Sequence, residues 1–185
     1  NATTAANLSR TDEAWMSPHA GASGEMTLEC WAAFDSLATI RTLWWKGATS
    51  NFEYGLSVLT TGAVQFAVFT AAGGTAGIAD SATGVIVADG SGALLGYHIV
   101  GTYDRAANSV KVYVNAAEVA TGTTSADSAG GTADLYFGQR ASIPDRVMLG
   151  RASHLAIYGT ALNPARVQAH YAAGWANTWT GRVPL

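Results

Sequence analysis

Hydrophobic and polar residues alternate along many short segments of this chain. In residues 26–34, Met26 and Leu28 fall on one side of the alternation and Thr27 falls on the other. Residues 109–114 alternate in the same way. A period of two is typical of a β-strand with one buried face. The pattern therefore predicts a protein made mainly of half-buried strands.

A polar break at residues 104–108 separates the strand at 109–114 from an apolar run that begins at Tyr97. Two such runs joined by a short polar turn indicate an antiparallel hairpin. The segments at residues 71–84 and 123–132 are rich in Gly, Ala and Thr, and we predict them to be loops. Further strands are predicted at residues 42–45, 54–59, 64–70, 85–88, 118–121, 135–138 and 149–158.

One helix is predicted near the end of the chain. Asn163 is a suitable N-cap, and Pro164 suits the first helical turn. Val167 and Tyr171 share one helix face, and Gly174 stands where a C-terminal cap is expected. About a dozen short strands followed by a single helix predict an all-β fold: a two-sheet antiparallel jelly-roll sandwich with one short C-terminal helix.

The length of the chain predicts a single domain that spans residues 1–185. Within it, residues 1–24 are expected to form an N-terminal arm that attaches through Trp15 and Met16, and residues 175–185 a C-terminal tail. The chain begins with Asn rather than Met, so we expect a processed form or a fragment of a longer protein.

Charged residues make up only 12% of the chain, and its formal net charge is −3. A surface solvated mainly by small polar groups suits an extracellular protein or one partly covered in an assembly. The sequence has no basic run, which argues against nucleic-acid binding, and no apolar run long enough for a membrane span. The single cysteine, Cys30, lies in an apolar strand and is expected to be a buried, inert thiol.

Four segments occur in an order that resembles a known superfamily. They read MTLECWAAFDSL, LWWKGATSNFEYGLSV, YHIVGTYDRAANSVKVYVNAAEVATG and LGRASHLAIYGTALNPARVQAHYAAG, and together they extend from Met26 to Gly174. The order resembles the laminin-G-like branch of the concanavalin A-like lectin/glucanase superfamily. The resemblance implies two antiparallel sheets in a jelly roll. It leaves function open, because this fold hosts lectins, appended domains of glycosidases, adhesins and virion proteins.

The resemblance also implies calcium as a cofactor, but two positions depart from the pattern of the relatives. Where many relatives turn a hairpin on Asp-Gly, this chain has Asn115 and Ala116. Where relatives tend to carry an acidic pair linked to calcium, it has Ser153 and His154. Calcium prefers several oxygen ligands with carboxylates among them. The second departure therefore argues against the usual calcium site of the family.

Four other residues carry oxygen ligands suited to calcium. Asp12, Asp104, Asn108 and Asp145 are the candidates. Asp and Asn are also common turn residues, which is the more frequent reason for their presence in polar breaks. The sequence therefore leaves both a weak calcium site and ordinary turns open.

The sequence does not predict an enzyme. Glycoside hydrolysis needs two carboxylates that flank a cleft, and catalytic relatives carry them in a cluster of the form E-x-D-x-x-E. No such cluster occurs, and Glu29, Glu53 and Glu118 lie in different segments. No GxSxG nucleophile motif is present either. The histidines show no metal-ligand spacing and are expected to be packed or surface residues: His19, His98, His154 and His170.

Six tryptophans are many for a chain of this length. Sugars commonly stack on Trp or Tyr, with Asn or Asp nearby, so Trp45, Asn51 and Tyr54 are candidate ligand-binding residues. Burial in the core is the favoured alternative for any one Trp. Because Trp44 and Trp45 are adjacent on a strand, one should enter the core and the other should lie on the opposite face. The loops at residues 47–53, 71–83 and 123–134 are the expected general location of a site.

Two functions remain open from the sequence. The first is a non-catalytic binding or adhesion module on an extracellular or virion surface, with a glycan or cell-surface polysaccharide as its partner. The second is a structural protein of a bacteriophage particle, a capsid decoration or tail component that contacts neighbouring virion proteins. Either protein could form a homo-oligomer.

Overall fold

The chain folds into two antiparallel β-sheets packed face to face. The computed structural model describes residues 8–18, 23–48, 51–88, 96–140, 143 and 146–178, and of residues 175–178 it describes the backbone only. The strands are β1 (Leu8–Arg10), β2 (Glu25–Phe34), β3 (Arg41–Ala48), β4 (Asn51–Val58), β5 (Val64–Phe69), β6 (Thr75–Asp80), β7 (Tyr97–Asp104), β8 (Ser109–Val114), β9 (Ala117–Thr123), β10 (Leu135–Phe137) and β11 (Gly150–Tyr158). A 3-10 helix at Ala14–Met16 and the helix α1 at Pro164–Thr178 complete the described elements.

The first sheet has six strands in the order β1-β10-β3-β4-β5-β6, and the second has five in the order β11-β2-β7-β8-β9. Neighbouring strands pair antiparallel throughout. The predicted all-β jelly-roll sandwich with a C-terminal helix is confirmed.

The core lies between the inner faces of the two sheets. Met26, Leu28 and Cys30 on β2 point into it, as the alternation predicts. Trp44 packs in the same core against Phe137, with ring centroids 5.1 Å apart. The predicted burial of Cys30 is confirmed, and that burial raises the pKa of its thiol far above the usual range.

Strand β6 occupies part of the segment at 71–84, so the loop prediction is wrong over Thr75–Asp80. Its residues are small because β6 approaches the second sheet closely. A Cβ on Gly77 would lie 2.6 Å from Val110 Cγ2, and a Cβ on Gly122 would lie 1.8 Å from the carbonyl oxygen of Ile78. Small residues therefore mark a tight contact between sheets here rather than a loop.

The strand predicted at residues 85–88 is not formed. Ile86 is buried in the core, and its backbone N–H donates to the carbonyl oxygen of Gly62 at 2.9 Å. Nearby, the N–H of Gly84 donates to the carbonyl oxygen of Thr61 at 2.9 Å. The apolar run is therefore a turn that buries Ile86 in the core and packs Val85 and Ala88 against it.

Helix α1 lies on the outer face of the five-stranded sheet. The Asn163 side chain caps it, because Oδ1 accepts from the N–H of Arg166 at 3.0 Å, and Val167 is fully buried against the sheet. The predicted stop at Gly174 is wrong, since the helix continues to Thr178. A Cβ on Gly174 would lie 2.5 Å from Trp31 Nε1, so this glycine permits close packing on the sheet. Among the described helices, none combines the length and hydrophobicity needed to cross a bilayer.

The described part of the N-terminal arm is attached to the six-stranded sheet. Strand β1 pairs with β10, and the side chain of Met16 is buried as predicted. Trp15 is 50% exposed, so it is not the second anchor that the sequence predicts. Residues 179–185 of the predicted tail lie outside the described residues.

The two-residue turn between β8 and β9 keeps a left-handed backbone without glycine. Asn115 has φ 50° and Ala116 has φ 68°, which is the geometry of a type I′ hairpin turn. Asn tolerates this conformation, whereas the Cβ of Ala is sterically strained at a positive φ. The Asn115 side chain also accepts a hydrogen bond from the N–H of His98 at 2.9 Å. The departure from Asp-Gly therefore preserves the turn at a cost in strain.

Ala116→Gly should raise the free energy of unfolding by about 0.5–1 kcal/mol, because glycine adopts a positive φ without strain. Urea unfolding measures the change. Ala117→Gly is the matched control, since Ala117 begins β9 without a positive φ and its replacement should destabilise the protein. Equal destabilisation by both substitutions would contradict the assigned turn.

Candidate functional site

An aromatic cleft opens on the outer face of the six-stranded sheet, with a volume of about 170 Å³. The register places Trp45 beside Gly55 and Ala67 on this face, away from the core. Next to it on the same face, a second row across the three strands is polar and consists of Thr42, Ser57 and Gln65. The described lining residues are Ile40, Thr42, Trp45, Phe52, Gly55, Ser57, Leu59, Gln65, Ala67, Phe69, Arg140 and Arg146.

The indole of Trp45 lies against the sheet because Gly55 leaves room for it. A Cβ on Gly55 would lie 2.5 Å from Trp45 Cε3. The indole Nε1 donates to the carbonyl oxygen of Gly47 at 3.1 Å, which fixes the ring orientation. Phe52 and Phe69 pack against it, with ring centroids at 5.2 and 6.0 Å from that of Trp45. Trp45 is therefore only 5% exposed although it lies outside the core.

The guanidinium of Arg140 covers the remaining face of this aromatic cluster. Its Cζ lies 4.0 Å from the ring centroid of Trp45 and 4.7 Å from that of Phe52, within the range of cation–π contacts. Burial and the nearby positive charge of Arg146 lower the pKa of Arg140. Within the described lining there is no carboxylate. Asp80, the register partner of Gln65 on β6, accepts from Gln65 Nε2 at 2.8 Å.

The structure places only one of the three predicted ligand-binding residues in this cleft. Trp45 lines it, but Tyr54 is 0% exposed and its hydroxyl donates to the carbonyl oxygen of Met16 at 2.8 Å. Asn51 lies near Gly131, where an added Cβ would be 2.8 Å from its Nδ2. The assignment of these residues to ligand binding stays a prediction.

Sequence reasoning missed Phe52, Phe69 and Arg140 as partners of Trp45. The two phenylalanines lie near strand ends, where alternation alone does not show which residues meet. Arg140 belongs to an irregular segment after β10, and the sequence carries no periodic pattern there. The rim loop predicted at 47–53 is wrong over residues 47–48 and 51–53, which belong to β3 and β4. This segment nevertheless contributes Phe52 to the cleft.

The residues proposed as calcium ligands have other partners. Asp12 Oδ1 lies 2.7 Å from Lys46 Nζ. Asp104 accepts from the N–H of Ala107 at 2.9 Å, and Asn108 accepts from Arg105 at 2.6 Å. The last candidate, Asp145, lies outside the described residues. Where side chains are described, no three His, Cys, Asp or Glu residues converge as a metal site would require.

The position of the family's acidic pair does not fit calcium in this chain. Ser153 Oγ and His154 Nδ1 lie 3.1 Å apart at a bulge in β11, and His154 has φ 52°. A hydroxyl and an imidazole replace the carboxylates that a calcium ion prefers. The side chains at this position therefore do not fit a calcium ion.

The carboxylates considered for hydrolysis have separate partners in three parts of the sandwich. Glu53 pairs with the fully buried Lys46 and also accepts from Ser17 Oγ at 2.6 Å. Glu118 lies 2.9 Å from Lys111 Nζ on the surface of β8 and β9. Glu29 is enclosed beneath helix α1. Each carboxylate thus stabilises local structure in its own part of the sandwich.

Glu29 joins helix α1 to the five-stranded sheet. Its carboxylate lies 2.7 Å from His98 Nε2 on β7 and 2.9 Å from His170 Nδ1 on the helix. Beside it, Trp31 stacks on Tyr171 with ring centroids 5.6 Å apart. Burial opposes ionisation of Glu29, but the hydrogen bonds from both histidines outweigh it and hold its pKa below the ordinary value.

The family is evident by comparison. The chain belongs to the concanavalin A-like lectin/glucanase superfamily, because a laminin-G-like model of that superfamily matches residues 8–168. No curated protein sequence matches it significantly.

Solved structures share the fold at low sequence identity. The binding domain of botulinum neurotoxin serotype G has a TM-score of 0.72 and 12% identity, over 96% of this chain and 42% of that one. Domain 4 of an extracellular arabinanase from Geobacillus stearothermophilus, solved with arabinotriose, has a TM-score of 0.58 and 22% identity, over 80% and 67%. A candidate carbohydrate-binding protein from Bacteroides ovatus has a TM-score of 0.61 and 15% identity, over 88% and 46%. The chain thus spans less than half of the toxin domain.

Glu29→Gln should lower the free energy of unfolding by about 2 kcal/mol at pH 7, because two charge-assisted hydrogen bonds are lost. The folded-state pKa of Glu29 lies below its ordinary value of 4.5, so its stabilising effect is complete above that pH. The effect is lost as the pH falls through the lowered pKa. Urea unfolding of both proteins between pH 7 and pH 3 measures this.

Glu118→Gln is the matched control, because the pair of Glu118 and Lys111 is partly exposed and contributes less than about 1 kcal/mol. A difference between wild type and Glu29→Gln that stays constant as the pH falls would contradict the role assigned to Glu29.

Proposed function

We propose that this protein is a non-catalytic carbohydrate-binding module whose ligand occupies the aromatic cleft. The observation that carries the proposal is the cluster of Trp45, Phe52 and Phe69 on an outer sheet face. Outer positions of a strand are usually polar, and the comparable face of the other sheet is covered by helix α1. Phe52 and Phe69, which are partly exposed and pack on the buried Trp45, form an apolar surface in the cleft that a ligand can cover.

The polar lining of the cleft supports a sugar as that ligand. Ser57 offers a partly exposed hydroxyl and Gln65 a partly exposed amide, from neighbouring strands on the same face, whereas Thr42 beside them is buried. Sugars present apolar C–H faces and hydroxyl edges, so they match a site in which aromatic rings lie beside a row of polar groups.

The comparisons add support at the level of fold. The arabinanase domain was solved with arabinotriose, and the Bacteroides protein is described as a carbohydrate-binding candidate. Both ligands are those of the proteins compared. At this low identity, what this chain shares with them is the fold. An extracellular location belongs to the same proposal, since the arabinanase is extracellular and the low charge content suits it. The bacteriophage alternative stays an untested prediction.

Binding to a glycan array and to soluble polysaccharides tests the proposal. Trp45→Ala should weaken the binding of any retained glycan by about tenfold or more, because the buried ring on which Phe52, Phe69 and Arg140 pack is lost. Phe52→Ala should also weaken it, and Phe52 is partly exposed, so its removal costs less folding stability. Circular dichroism and thermal unfolding show whether each variant keeps its fold.

Trp15→Ala is the matched control, because Trp15 is exposed and lines a separate surface groove with Leu8. Its removal should leave glycan binding unchanged. Binding that survives both cleft substitutions, binding that depends on Trp15, or failure to retain any glycan would each overturn the proposal.

A further inference from the structure

We infer that the saccharide recognised by the aromatic cleft is acidic, with a carboxylate or sulfate group held by Arg140 and Arg146. This inference rests on the proposed function and adds the chemical class of the ligand. Three features of the cleft carry it: a pre-positioned guanidinium, an unmatched hydrogen-bond donor, and an excess of positive charge.

Arg140 is held in place before any ligand binds. Its guanidinium lies on the rings of Trp45 and Phe52, at 4.0 and 4.7 Å from their centroids. Contact with two rings restrains the guanidinium, and a cation held over aromatic rings does not use up its N–H donors. An arginine that is already ordered loses little side-chain entropy when an anion binds.

The Nε of Arg140 is a buried donor without an acceptor among the described residues. A buried N–H that makes no hydrogen bond is costly, and such groups are rare in folded proteins. The aromatic rings beside it cannot accept a strong hydrogen bond. A ligand oxygen in the cleft would satisfy this donor.

The charged side chains in the described lining of the cleft are all cationic. Arg140 and Arg146 both line it, and the described lining has no Asp or Glu side chain to neutralise them. The repulsion between the two guanidinium groups contributes to the lowered pKa of Arg140. Two like charges in a partly buried cleft are therefore stabilised by an anion more than by a neutral group.

The remaining lining groups distinguish an acidic sugar from a free anion. A small inorganic anion would occupy the arginines but leave the rings of Phe52 and Phe69 uncovered. A neutral sugar would cover the rings but leave both positive charges without an anionic partner among the described lining residues. An acidic saccharide unites these requirements, because its ring stacks while its carboxylate or sulfate accepts bidentate hydrogen bonds from arginine.

An array that carries acidic glycans beside their neutral counterparts tests the inference. Uronate chains are paired with their methyl esters, sialylated glycans with desialylated ones, and sulfated chains with desulfated ones. The wild-type protein should retain acidic members and bind each neutral counterpart about ten- to a hundredfold more weakly, the loss of a charge-assisted hydrogen bond. Added salt should weaken the acidic binding.

Arg140→Gln and Arg146→Gln should each weaken the affinity for acidic glycans by about tenfold or more. Thermal unfolding should show that both variants are still folded at the temperature of the binding assay. Arg146 is only partly buried, so its variant tests the charge without disturbing the stack on Trp45. Arg151→Gln removes the same charge from an exposed position on the other sheet and should change nothing.

Two results would overturn the inference, and they differ in what else they overturn. If neutral counterparts bind as tightly as acidic glycans, or the arginine variants bind like wild type, the acidic class is wrong while the proposed glycan site stands. If no glycan of either class binds, the proposed function fails together with the inference.

Discussion

The alternation of side chains across each strand is the constraint from which the other features follow. Because successive residues face opposite sides of a sheet, Trp44 and Trp45 cannot share an environment. Trp44 packs in the core against Phe137, and Trp45 lies on the outer face of the six-stranded sheet. Packing the two inner faces makes the core, but it leaves apolar groups on both outer faces that need a cover.

The two outer faces are covered in different ways. On the five-stranded sheet, helix α1 lies over Trp31. The Glu29 carboxylate joins the helix to the sheet, because it is hydrogen-bonded to His98 on β7 and to His170 on α1. On the six-stranded sheet, Trp45 is covered by two aromatic neighbours and the guanidinium of Arg140. A docked helix excludes other molecules, whereas a single cationic side chain can itself become the ligand contact. This difference places the candidate site on the six-stranded sheet.

The sequence predicts this fold well where one face of a strand is strongly apolar. Residues 26–34 and the hairpin from Tyr97 are examples, and both form strands as predicted. It predicts less well where packing is close, since the small residues of β6 and Gly174 look like loop and helix-end residues but permit close approach. The cleft is predicted only through Trp45, because its partner Arg140 comes from a distant irregular segment that carries no periodicity. Contacts between such segments depend on tertiary packing rather than on local pattern.

Nuclear magnetic resonance of individual side chains tests the central claim, that the ligand binds at Arg140 and the aromatic cluster packed around Trp45. The tightest-bound acidic glycan is titrated into protein labelled with nitrogen-15, and the Nε–H signals of Arg140 and Trp45 are followed with that of Trp15. We expect the first two signals to shift together in a saturable manner while the Trp15 indole signal stays constant. A shift confined to Trp15, or saturable binding that leaves both Arg140 and Trp45 unchanged, would contradict the account.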